Sequence, residues 1–176
     1  MQTINIVKSQ FGAAFDMLEQ TIQRCPDEIW YDDAPTNRFW HVAYHSIFYI
    51  HLYLQPSEQS FQPWEFHRED YQRFGSPPWD PGKELVIDQP YHKAELLSYL
   101  EHCRSELAVL DAQPLDGPSG FSWLPFNKLE LQFYNIRHLQ QHIGELSGRL
   151  LDGGIEIDWV GTAGAPRSAL LPDRAD

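Results

Sequence analysis

Apolar residues recur at three- and four-residue spacing in four stretches of this chain, and each stretch predicts a helix buried on one face. In the first, from about Asn5 to Arg24, the stripe is Phe11, Phe15, Leu18 and Ile22, and Pro26 follows its end. The second runs from about Asn37 to Leu54, after Ala34-Pro35, with Thr36 and Asn37 as candidate caps. From Phe39 to Leu54 it carries no charged residue apart from three histidines. The third spans about Tyr91 to Asp111, with Leu96, Leu100, Cys103, Leu107 and Leu110 in line, and the fourth about Phe126 to Asp152, stopped by Gly153-Gly154.

Between the second and third helices lies a long insert rich in proline and aromatic residues, and a structureless loop of that length is uncommon in a compact domain. A short helix around Trp64 to Phe74 is therefore predicted, with the remainder covering one end of the molecule. Gln113 to Pro125 forms a second connection. The alternation Ile155, Ile157, Trp159 predicts a docked segment, and residues 163–176 a flexible tail. The pattern reads as an all-α, four-helix-bundle domain over residues 1–162, with a long insert between helices two and three.

Composition narrows the function. A chain of 176 residues with 42% hydrophobic and 22% charged content suits one soluble domain. A formal charge of -12 opposes phosphate backbones and anionic membrane surfaces, which argues against nucleic acid and membrane partners. Two cysteines, Cys25 and Cys103, make no disulfide framework, so two free thiols are expected. The first residues lack the apolar core of a signal peptide, and the expected location is the cytoplasm.

The candidate chemistry lies in histidines. His138 and His142 stand four residues apart and so share a helix face. His45, on the second helix, shares its face with His41, Val42, Phe48, Tyr49 and Leu52 and is expected to point inward. Two imidazoles from one helix and one from another make an open three-histidine site for a divalent transition metal. The competing reading is surface or core histidines without a metal. A zincin-type site is excluded, because Leu139 follows His138 where H-E-x-x-H has glutamate. His41 competes with His45, a polar contact at the cleft mouth being its other role. Glu145 either holds an imidazole or pairs with Arg149. Glu145, His41 and Tyr49 are the candidates for orienting ligands or moving protons. Zinc or nickel suits three imidazoles, with iron or manganese as further candidates.

The run F-W-H-V-A-Y-H, then R-H-L-Q-Q-H-I-G-E-L, then D-W-V-G after a Gly-Gly resembles the DinB-like superfamily, over about residues 5 to 162. The resemblance implies an up-down-down-up four-helix bundle, a metal held by the residues that match its ligands, His45, His138 and His142, and a homodimer. It also implies a metal-dependent hydrolase or a transferase using a low-molecular-weight thiol on a small-molecule substrate. The alternative is a non-catalytic metal- or small-ligand-binding dimer. The insert from Gln55 to Lys83 is longer than is usual for that family.

Overall fold

The computed structural model describes residues 2–164, and among them it is all-α, with no strand. Four long helices dominate: α1 (Gln2–Arg24), α3 (Phe39–Leu54), α4 (Lys93–Glu106) and α5 (Lys128–Asp152), with a single-turn helix α2 (Asp27–Trp30) after the first. Both α1 and α3 pack against α4 and α5. The predicted stripe of α1 is real: Phe11, Phe15, Leu18 and Ile22 are wholly buried.

Helix α3 lies in the middle of the molecule. Every one of its residues except Tyr49 is buried, which is why its sequence is apolar all round and carries no Asp, Glu, Lys or Arg. It begins at Phe39, two residues later than the candidate caps suggested. Arg38 occupies the N-cap without a capping side chain; its guanidinium instead pairs with Asp33 at 2.9 Å and donates to the Ile87 carbonyl. Asn127 caps α5 by accepting from the Glu130 N–H at 2.9 Å, and Gly154, at φ +76°, turns the chain away at the other end. The predicted third helix divides: α4 stops at Glu106 and the chain tightens into a 3₁₀ segment, Leu107–Ala112.

The insert departs most from expectation. No helix forms over Trp64–Phe74; the chain there makes successive turns, and the one short 3₁₀ segment of the insert lies earlier, at Glu58–Ser60. Asp70 sits at φ +67°, which a helix does not accommodate. The Tyr71 and Gln72 carbonyls accept from the imidazoles of His41 and His45. Aromatic packing holds this irregular segment down: Trp64 stacks on Tyr99 at 4.5 Å between ring centres, and Tyr91 on Tyr44 at 4.6 Å. The segment after α5 docks along α1 as expected: Arg24 pairs with Asp158 at 2.5 Å, and the Ala163 N–H donates to the Ser9 carbonyl at 3.2 Å. Most of the predicted flexible tail lies outside the described residues. Both cysteines are free and buried. No described helix is long and apolar enough to cross a membrane.

Candidate metal centre

His45 reaches the site from the middle of α3, while His138 and His142 come from successive turns of α5. Their imidazoles converge. His45 Nε2 lies 3.1 Å from His138 Nε2, and His142 Nε2 lies 3.2 Å from the same atom. One nitrogen from each ring falls within 4.8 Å of the others. Two ligands at about 2.05 Å from a tetrahedral ion stand about 3.3 Å apart, so the two close spacings are those of a ligand set.

Hydrogen bonding at the outer nitrogens fixes which way the lone pairs face. His45 Nδ1 donates to the Gln72 carbonyl at 2.8 Å, and His142 Nδ1 donates to Glu145 Oε2 at 3.1 Å. Both donations leave Nε2 bare and aimed inward. His138 Nε2 faces both bare nitrogens and can offer its one hydrogen to only one of them. Its Nδ1 is buried without a partner. Two bare lone pairs and a third imidazole nitrogen directed at one point are a cation's environment, and a divalent ion would take all three nitrogens once the His138 hydrogen stood on Nδ1. Burial, followed by the neighbouring imidazoles, pushes His45 down to about 3, against the opposing Gln72 carbonyl; burial likewise pushes His138 down to about 4. These two rings are neutral near pH 7, the form that binds a metal.

The surrounding residues fall into place unevenly. Glu145 plays both roles weighed for it at once: Oε2 accepts from His142 while Oε1 takes the Arg149 guanidinium at 2.5 Å. Tyr49 packs beside the site, its ring 4.8 Å from His45 and 5.5 Å from His138. Burial raises its pKa, so the phenol keeps its hydrogen. His41 stands apart from the three, its Nε2 donating to the Tyr71 carbonyl at 2.7 Å.

No protein-family model, no curated protein and no solved structure matches this chain.

Two parts of the site carry no sequence signal that marks them. The Gln72 carbonyl belongs to the backbone, and any residue would supply it. Phe74 stacks on His45 at 4.0 Å with an interplanar angle of 20° and meets the ring of His142 edge-on at 5.8 Å. It is 36% exposed, so it forms the outer wall. The richness of the insert in aromatics was the only clue to it, and that clue pointed first to a plain cover for the bundle end. A second histidine pair, His51 and His102, was also missed: their Nε2 atoms lie 3.4 Å apart on the other side of α3.

Proposed function

We propose that this protein is a DinB-like metal-dependent enzyme, with its four long helices forming an up-down-down-up bundle around a site for a thiol transfer or hydrolysis. The observation that carries the reading is the convergence of three imidazole nitrogens, two of them with a hydrogen-bond acceptor behind the ring. His45, His138 and His142 would hold a divalent ion, zinc or nickel first among candidates. Such an ion, when bound, supplies Lewis acidity that lowers the pKa of a coordinated thiol or water.

The chain's own residues do the rest. Gln72 and Glu145 orient two imidazoles, and the Arg149 guanidinium keeps the Glu145 carboxylate turned toward His142. Phe74 and Tyr49 wall the site with aromatic surface, and the protonated Tyr49 phenol is a donor for a substrate oxygen or sulfur. His41 ties the insert to α3, which leaves it a positioning role. A small molecule with an apolar portion suits these walls.

The test is elemental analysis of protein purified without a histidine tag, combined with calorimetric titration of low-molecular-weight thiols. Alanine in place of His45, His138 or His142 should each remove one equivalent of tightly bound metal, whereas His41→Ala should retain it. Thiol binding accompanied by proton release supports the enzyme. Indifference to every thiol points to a binding module, and unchanged metal content in all three ligand variants removes the reading.

A further inference from the structure

The second histidine pair lies outside the site described above. His45 and His51 are six residues apart on α3, which places them about 120° apart around the helix axis. His51 is 3% exposed and turns toward α4, where it meets His102. Their Nε2 atoms are 3.4 Å apart. That is wider than an ordinary hydrogen bond, for which 2.7–3.2 Å is typical, and close to the about 3.3 Å between two nitrogens on one tetrahedral ion. A phenol stands behind His51: its Nδ1 lies 3.1 Å from the Tyr99 hydroxyl. A hydrogen on Nδ1, donated to that hydroxyl, leaves the Nε2 lone pair facing His102. Burial pushes His51 down to about 4, so the ring is neutral near pH 7.

A carboxylate shares the space. His102 and Glu106 are four residues apart on α4 and line one cavity of about 470 Å³ with His51, Gln55 and Trp64. Glu106 Oε2 accepts from the Gln55 amide at 3.1 Å, which holds the carboxylate in the cavity wall, while Oε1 has no hydrogen-bond partner among the described residues.

We infer that His51, His102 and Glu106 form a second divalent-metal site, a two-histidine, one-carboxylate set open to the cavity on the α4-facing side of α3, away from the three-histidine centre. The two imidazoles already stand at ligand spacing; the Glu106 carboxylate, held by Gln55, stands outside that spacing and joins the set by turning about its own side-chain bonds. The hydrogen on His102 Nε2 leaves that nitrogen on binding. His51 then carries its hydrogen on Nδ1 toward Tyr99, and half-buried His102 carries its own on Nδ1. Zinc or cobalt(II) fits this mixed nitrogen and oxygen set, with a cavity water as the fourth ligand.

The experiment counts ions. Tag-free protein is equilibrated with zinc, dialysed, and weighed by native mass spectrometry, with cobalt(II) absorption as a report of tetrahedral geometry. Wild type should hold two ions, His102→Ala one, His138→Ala one, and the double variant none. Glu106→Gln, which keeps the Gln55 contact, should weaken one ion at least tenfold and leave the other untouched. Circular dichroism checks that each variant folds. Two ions retained in His102→Ala overturn the inference, as does a wild type that binds none, or only one ion that His138→Ala removes. A single ion lost only with His102 would instead sustain this site and remove the three-histidine reading.

Discussion

Glu145 is where two demands on one side chain meet. One oxygen orients His142 and the other holds Arg149. An i,i+4 ion pair contributes only a few tenths of a kcal/mol to a helix, whereas loss of an acceptor behind a metal-binding imidazole typically costs 10–100-fold in affinity. Glu145→Ala should therefore leave the melting temperature of the metal-free protein nearly unchanged and weaken metal binding about tenfold or more, measured by competition with a chromophoric chelator. Equal affinity in the variant would reduce Glu145 to a surface partner of Arg149. The pairing of His138 with His142 was legible because helical period alone puts i and i+4 on one face. His45 was legible once α3 could be read as buried. The meeting of His51 with His102 was not, because it depends on the register between α3 and α4, which no local pattern records.

The connections between helices rest on polar contacts that do not show as periodicity. Lys128, the first residue of α5, is 3% exposed, and its ammonium donates to the carbonyls of Gln55, Pro56 and Ser119. It thereby ties the end of α3 to the loop before α5. Gly120 lies in that loop at φ +89°, and a Cβ there would overlap the Pro56 carbonyl oxygen. Gly120→Ala combines a strained backbone with a clash against main chain, and strain of this kind costs about 1–3 kcal/mol. A thermal melt of the variant should fall clearly below wild type; an unchanged midpoint would mean that the loop simply moves aside. The helices themselves were readable to within a few residues, since apolar stripes mark them. The helix expected at Trp64–Phe74 does not form: Asp70 takes a positive φ in mid-segment, and the Tyr71 and Gln72 carbonyls meet His41 and His45, contacts that arise only once the insert has docked.

For the whole molecule, buried neutral histidines set the response to acid. His45 is held down to about 3, and His51 and His138 to about 4, all by burial first, against an ordinary value of 6.5. The unfolded chain therefore binds more protons than the native one between about pH 6.5 and these folded values, so stability rises with pH across that window and is lost as pH falls through it. For one group shifted from 6.5 to about 4, the loss between pH 7 and pH 5 is about 2 kcal/mol. Urea unfolding of metal-free protein at the two pH values should show the summed effect. In His51→Gln the difference between them should shrink by about that one share; a difference of wild-type size would mean that His51 takes up its proton inside the fold.

The backbone origin of the Gln72 contact bears on how this chain can change over generations. Glu145 can be lost by a single base change. The acceptor behind His45 cannot, because every residue type brings a carbonyl to position 72. What that contact cannot survive is a change of length: one residue gained or lost between Tyr71 and Phe74 would move the carbonyl away from His45 and the aromatic wall away with it. Position 72 is thus free in spelling, while the short stretch around it is fixed in count.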